Sequence, residues 1–367
     1  MKTFRFIDLF CGGGGSITGE VMALREAGLP FEGRCFDFWK TAIDTVRTNY
    51  PELVPDVKRA CVPVETVEPS SIFKDDRVDV IWASPSCTHH SPAAGGNIRS
   101  DKLRNQPNTL IRFLYATRCR RLYIENVPRL RKWGPLLEVD TKIDGRIHRA
   151  GTPDPRRAGE SFNSFIKNIV EAGYNVDMQI MNAADYGAAT SRKRIIIQAV
   201  RRSAGEKICW PEPTHSKEIN LFGTKAWRSA AEVVDVTKQG EKISEKKISI
   251  SAKTIRRIEY GKKFFGTKAP FILIERGTSE RMLKLSPSSL DNPLPTITTH
   301  NCMALVTPSE KTSESRFRML TKNELADATG FPSDYYFAGN NTTAKKMIGN
   351  AVCPCITAAL YRAFLTA

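Results

Sequence analysis

The sequence predicts an α/β protein, a doubly wound parallel sheet joined to a smaller, mostly β lobe. Three observations carry this. Apolar runs of strand length alternate with helical patterns over the first 200 residues. The first run, Phe6 to Phe10, leads directly into four glycines and then a helix. After about Arg201 the periodicity weakens, lysines rise, and short strand-like pieces alternate with turns as far as Pro308.

The first unit is strand, tight turn, helix. Gly12, Gly13, Gly14 and Gly15 follow the strand, then Ile17, Val21 and Leu24 set a helical period that Gly28 ends. Consecutive glycines let the backbone take positive φ and approach a ligand closely. Such a loop lies beyond the carboxyl end of its strand, where doubly wound sheets bind ligands. Taken alone, it is also compatible with a plain flexible turn. Its spacing is not G-x-G-x-x-G, and no Lys-Ser/Thr follows, so a cofactor without phosphates fits better.

Phe31 to Phe38 reads as the second strand, with Asp37 either where such folds bind ribose hydroxyls or as a solvated strand-end carboxylate. A helix from Trp39 to Tyr50 stops at Pro51. Val78 to Ala83 is a buried strand ended by Ser84-Pro85-Ser86-Cys87, and Ser91 to Gly96 reads as a mobile loop. A helix near Asn108 to Arg118 leads to the strand Arg121 to Val127. Residues 134–160 read as an inserted surface loop, and a helix closed by Gly173 follows. Two strand-like runs, Val176 to Met181 and Arg194 to Val200, flank Asn182 to Gly187. The helical pattern resumes near Arg316, and Ala351 to Leu365 reads as a final amphipathic helix.

Composition sets limits. The chain has 367 residues, 41% hydrophobic and 26% charged, an ordinary globular balance with room for two lobes. No membrane partner is expected, because no apolar run reaches about 18 residues. Asp8 interrupts the first apolar run, which therefore reads as a core strand rather than a leader. Nine scattered cysteines without a C-x-x-C pair point to a reducing cytoplasm and to no metal site. Adjacent His89 and His90 would point to opposite sides of a strand and do not suit one ion. The net charge of +16, clustered at Arg99–Lys132, Arg192–Arg194 and Lys238–Lys268, favours a polyanion, nucleic acid above all.

Individual residues suggest chemistry without fixing it. Cys87 follows a core strand in a turn set by Pro85, placed for a nucleophile or for an inert buried thiol. Glu125 ends another strand and can point into the same crevice or serve as a surface charge. Arg192 and Arg194 straddle Lys193, and strand alternation would put both guanidinium groups on one face, to hold a planar, electron-rich group or to stand as solvated edge charges.

The order of the pieces is specific. Asp-Leu-Phe-Cys-Gly-Gly-Gly-Gly, Pro-Ser-Cys, Glu-Asn-Val, Ala-Asp-Tyr-Gly with Arg-Lys-Arg, and a late Gly349-Asn-Ala-Val352 together strongly resemble the DNA cytosine-5 methyltransferase family. The resemblance covers residues 4–200 and 316–367, including Leu320–Glu324 and Gly330–Asp334. It implies a Rossmann-like S-adenosylmethionine-dependent methyltransferase fold, divided as 1–200 catalytic and cofactor domain, 201–315 target-recognition domain, and 316–367 returning to the catalytic domain. It implies Cys87 as the nucleophile at carbon 6, Glu125 as the acid at ring nitrogen 3, and Arg194 with Arg192 on the cytosine carbonyl oxygen. The cofactor, S-adenosyl-L-methionine, would lie against Phe10 and Gly12 to Gly15. Asp37 would take the ribose, Phe38 the adenine and Pro85 the methionine end, and Asn350 and Val352 would complete the site. The implied partner is double-stranded DNA, with the target base flipped out and the enzyme monomeric, alone or paired with a restriction enzyme.

The chain departs from the family pattern at Ser86, Thr88, His90 and Thr190, and near Cys61, where the usual Asp is replaced. Two other readings share the core: an RNA cytosine-5 methyltransferase, and a non-catalytic DNA-binding regulator. The long basic variable region favours duplex DNA, and intact Cys87, Glu125 and Arg194 favour an enzyme.

Overall fold

Strand β1, Phe4–Leu9, buries Phe6, Ile7 and Leu9 completely. It shows no in–out alternation because a parallel strand in the middle of a sheet is covered on both faces. On one side it pairs in parallel with β2, Phe31–Phe36, and on the other with β3, Val80–Ala83. β3 pairs in parallel with β4, Arg121–Asn126. The strand Lys193–Arg201 then runs antiparallel to β4, with Arg121 opposite Val200 and Asn126 opposite Ile195. Tyr174–Asn182 completes the six-stranded order. The chain winds first to one side of β1 and then to the other, so the β1–β3 boundary is the topological switch point. This computed structural model describes residues 2–73, 77–86, 100–218, 223–246, 250–300 and 302–366.

Helices cover both faces of this sheet. Leu110–Thr117 and Glu160–Glu171 pack Phe113, Leu114, Phe165 and Ile169 against Ile81, Leu122, Ile124 and Ile197. On the other face Trp82, Tyr123 and Tyr361 stack, with ring centroids 5.6 and 6.2 Å apart. Tyr361 arrives on the last helix, Pro354–Leu365, and donates its hydroxyl to Glu20 of α1, Gly15–Glu26, at 2.8 Å.

The chain divides into two compact units. The first is 1–181, 193–211 and 356–367, and the second is 182–192 and 212–355. The second unit is built on a five-stranded antiparallel sheet, ordered Glu241–Lys242, Arg316–Met319, Met303–Thr307, Phe271–Ile274 and Pro287–Ser289. A 14-residue helix, Ala252–Phe265, packs Ile258 and Phe265 on Phe271.

Several elements differ from the sequence reading, each for a local reason. The helix Ala252–Phe265 lies where only short strands and turns were expected, because lysines and arginines hide the Ile255/Ile258 period. Residues 316–319 form a strand, and the helix begins only at Lys322, where Thr321 and Glu324 make a capping box. The final helix starts at Pro354 rather than Ala351, proline being suited to the first helical position. The insertion 134–160 contains a hairpin, Thr141–Ile143 with Arg146–His148, turned by Asp144 and Gly145 at φ 48° and 76°. That Asp-Gly pair is a type I′ turn signal. The apolar stretch Asn341–Leu365 is long enough to cross a membrane by composition, but most of it is buried in the fold.

Candidate active site

The carboxyl end of β1 makes the glycine loop. Phe10, Gly12 and Gly14 all have positive φ, at 60°, 51° and 83°. For Gly12 and Gly14 the missing Cβ makes this conformation accessible, whereas Phe10 holds it under strain. Helix α1 starts at Gly15 with no capping side chain and no acidic residue in its first turn. Its positive end is therefore open to an anionic group of a ligand.

Asp37 follows β2 and braces this loop. Its Oδ2 accepts the Gly12 amide at 3.0 Å, and its Oδ1 accepts the Trp39 amide at 2.8 Å. Burial raises the Asp37 pKa, and the backbone donors of Trp39, Gly12 and Phe38 pull it back. Three donors do not fill the four lone-pair sites of the carboxylate, so capacity remains for a ligand hydroxyl. Phe38 beside it is 70% exposed, a large ring left uncovered by this fold. The Cys61 thiol donates to the Phe38 carbonyl at 3.7 Å, so the departure at Cys61 lies beside the Phe38 backbone.

A buried acidic group underlies the loop. Asp8 and Glu20 are both fully buried, Ser16 donates its hydroxyl to Asp8, and Tyr361 donates to Glu20. Burial pushes both carboxyl pKa values well above the ordinary range.

The ends of β3 and β4 are tied together. The Asn126 side chain donates Nδ2–H to the Pro85 carbonyl at 2.9 Å, and its Oδ1 accepts the Val127 amide at 2.9 Å. The Ser86 amide donates to Gln106 Oε1 at 3.2 Å, while Gln106 Nε2 donates to Glu65 at 3.1 Å. The turn leading to Cys87 is thus held from two directions. Cys87 itself, with Thr88, His89, His90 and the Ser91–Gly96 segment, lies outside the described residues.

Glu125 is 6% exposed at the end of β4, and its Oε1 lies 2.8 Å from Arg194 Nε. Arg192 does not share this arrangement. It sits in the break between Thr190–Ser191 and the strand starting at Lys193, so the alternation expected to align both arginines does not run through it. Its Nη1 donates to the Ile297 carbonyl at 2.9 Å, and its own carbonyl accepts the Ala183 amide at 3.0 Å. Thr190, another departure, is buried and donates to the Pro295 carbonyl at 3.1 Å.

In the second unit, Asn350 ends the helix Asn341–Asn350 and is exposed, while Val352 is buried. Gly349 lies against the Thr298–Thr299 backbone, where an added Cβ would come within 2.3 Å of the Thr298 carbonyl carbon. Only glycine fits there.

The first unit therefore carries Phe10, Gly12 to Gly15, Asp37, Phe38, Pro85, Glu125 and Arg194, and the second carries Arg192, Asn350 and Val352. Sequence reasoning missed the supporting residues Asn126, Gln106, Ser16 and Glu20, and used Asp8 only as a mark of a core strand. Asn126 stood inside the quoted Glu-Asn-Val run, but its partner Pro85 is 41 residues away.

The sequence profile of the C-5 cytosine-specific DNA methylases matches residues 154–365. The Type II methyltransferase M1.HphI of Haemophilus parahaemolyticus is 24% identical over 365 residues, 98% of this chain and 86% of that protein. M.MthTI of Methanothermobacter thermautotrophicus is 25% identical over 321 residues, 86% of this chain and 84% of its own length. Among solved structures, a Spodoptera frugiperda DNMT2 mutant superposes with a TM-score of 0.61 at 15% identity, covering 99% of this chain and 100% of that one. A putative DNA modification methyltransferase from an E. coli prophage gives 0.57 at 18% identity, with both chains fully covered. These last two likenesses concern the fold.

Proposed function

We propose a residue-level mechanism for this chain, which belongs to the C-5 cytosine-specific DNA methylase family. The reaction is methyl transfer to carbon 5 of cytosine in DNA, carried out by an S-adenosylmethionine-dependent enzyme. The target base leaves the duplex, because carbon 6 must be approached from above the ring. Cys87 adds to carbon 6 as a thiolate, making carbon 5 nucleophilic. Glu125 shares a proton with ring nitrogen 3 and drains the charge that the thiolate delivers. In the free protein Arg194 occupies Glu125. The cytosine carbonyl oxygen draws Arg194 away from Glu125, which then faces ring nitrogen 3. Loss of the carbon-5 proton and expulsion of Cys87 then restore the aromatic ring.

The residues fit the cofactor. An uncapped helix start, open space around Gly12, a carboxylate at the end of β2 and an exposed ring at Phe38 suit an amino acid carboxylate, a ribose and an adenine in turn. Within the first unit, Phe10, Gly12 to Gly15, Asp37, Phe38 and Pro85 would hold it. When bound, S-adenosylmethionine supplies an electrophilic methyl group.

The Glu125–Arg194 pair next to the Asn126–Pro85 tether is the observation that carries this reading. Duplex DNA with 5-fluorocytosine at the target tests it, because fluorine at carbon 5 cannot leave as a proton does. A covalent protein–DNA band that survives denaturation and is lost in Cys87→Ser is expected. A wild-type protein that turns over normal DNA without forming that band overturns the mechanism.

Residues 201–315 choose the target sequence in this reading. Replacing that span with the matching span of a relative changes which cytosines bisulfite sequencing finds methylated. Activity retained with an unchanged target would assign recognition elsewhere.

A further inference from the structure

The carboxyl ends of the strands hold the glycine loop and Glu125. At their opposite, amino ends a different feature appears, a cavity of about 610 Å³ lined by Lys2, Arg77, Arg118, Arg120, Arg201 and Tyr115, among others. Among the described residues no carboxylate lines it. Lys2 precedes β1, Arg77 precedes β3, Arg118 and Arg120 precede β4, and Arg201 ends the antiparallel neighbour of β4. These four strands are consecutive in the sheet. Strands lie about 4.8 Å apart, so the cations form a row roughly 14 Å long rather than a single cradle.

Among the described residues, the neighbouring acids Asp79 and Glu206 are already engaged. Asp79 takes Arg77 at 3.0 Å and Arg120 at 3.2 Å, and Glu206 takes Arg120 and Arg121. Among the described residues no carboxylate pairs with Lys2, Arg118 or Arg201. Arg201 Nε is buried without a hydrogen-bond partner, and a donor left in that state is destabilising. Arg118 is exposed and held at φ 47°, a conformation that disfavours side chains. Tyr115 leaves its ring 60% exposed beside them.

We propose that this row binds the phosphodiester backbone of a second DNA segment, at the end of the sheet away from the methylation site. A row of cations spread over four strands matches a linear polyanion, and free phosphate would need only one cradle. The site would hold neighbouring DNA while a cytosine is processed at the other end.

The proposal rests on the adduct mechanism only for the convenience of its first test. A protein trapped on a short 5-fluorocytosine duplex has its catalytic site filled. A labelled, cytosine-free A·T duplex is then titrated against it. The trapped protein is expected to bind this second duplex, and Lys2→Gln/Arg118→Gly is expected to trap the first duplex normally and bind the second about tenfold more weakly. Arg118→Gly removes a left-handed side chain, so it does not weaken the fold. Equal binding by both proteins, or none by the trapped wild type, overturns the proposal. Displacement of the second duplex by inorganic pyrophosphate at equal phosphate concentration would assign the row to free phosphates and also overturn it. If no adduct forms, the mechanism above fails and this site is still tested without it. The log–log salt slope of A·T duplex binding is then expected to be shallower in the double variant, by about 0.9 for each phosphate it no longer neutralises, and an unchanged slope overturns the proposal.

Discussion

Asn126 reaches from the end of β4 to the carbonyl of Pro85 at the end of β3, a separation of 2.9 Å. The two residues lie at the ends of neighbouring strands that carry different groups of the proposed mechanism. Glu125 precedes Asn126, and Cys87 follows Pro85 by two positions. This bond ties the strand that carries Glu125 to the turn at Pro85, which precedes the proposed nucleophile.

Asn126→Ala should therefore slow adduct formation more than it weakens cofactor binding. It leaves the buried Pro85 carbonyl unpaired, a cost of about 1–3 kcal/mol. Single-turnover trapping on 5-fluorocytosine DNA measures the rate, and calorimetry measures cofactor affinity. A normal trapping rate would make Asn126 a structural residue only.

Asp37→Ala should weaken S-adenosylmethionine binding by about 1.5–3 kcal/mol, roughly tenfold or more. The carboxylate braces Gly12 and, in the proposed site, takes the ribose. DNA affinity should change little. Calorimetry with cofactor alone decides this, and unchanged affinity removes Asp37 from the site.

Glu20→Gln should stabilise the protein, more so near neutral pH than in acid. Burial raises the Glu20 pKa well above its ordinary value, so the folded state holds a proton that the unfolded state releases. The stability is full below the ordinary carboxyl pKa, falls as pH rises toward the raised one, and then levels off. Glutamine keeps an acceptor for the Tyr361 hydroxyl and has no proton to lose. Thermal melts across pH read the effect, and a Tm difference that is flat with pH would count against it.

Lys262 and Lys263 are neighbours with different work. Lys262 donates Nζ–H to the Glu310 carbonyl at 2.9 Å and to Thr312 at 2.8 Å, whereas Lys263 is exposed. Lys262→Ala should lower the melting temperature, losing about 1–3 kcal/mol, and leave the salt slope of DNA binding intact. Lys263→Ala should do the reverse, lowering the slope by about 0.9 if it meets one phosphate. Fluorescence anisotropy over a salt series separates the two.

Strands β1 and β3 are legible because each is an apolar run bounded by turn residues, and their ends place Gly12 and Pro85. The helix Ala252–Phe265 was not, because its polar face is so basic that the Ile255 and Ile258 repeat is outnumbered. The strand Arg316–Met319 alternates charge and apolar residue, yet it abuts a strong helix start at Thr321 and was absorbed into it. The ties among site residues were hidden for a more general reason. Gln106 meets Ser86 across 20 residues and Arg192 meets Ile297 across 105, and no local pattern encodes such partners.

The Tyr361–Glu20 bond joins residues 341 positions apart within one unit. During synthesis at about 5–20 residues per second, the aromatic face of the six-stranded sheet waits for this tyrosine. Until then Glu20 lacks its hydroxyl donor and Tyr123 lacks the Tyr361 ring. The last helix therefore acts as a latch in the order of assembly, and chains released before it emerges should be recognised by chaperones that seek exposed aromatic surface.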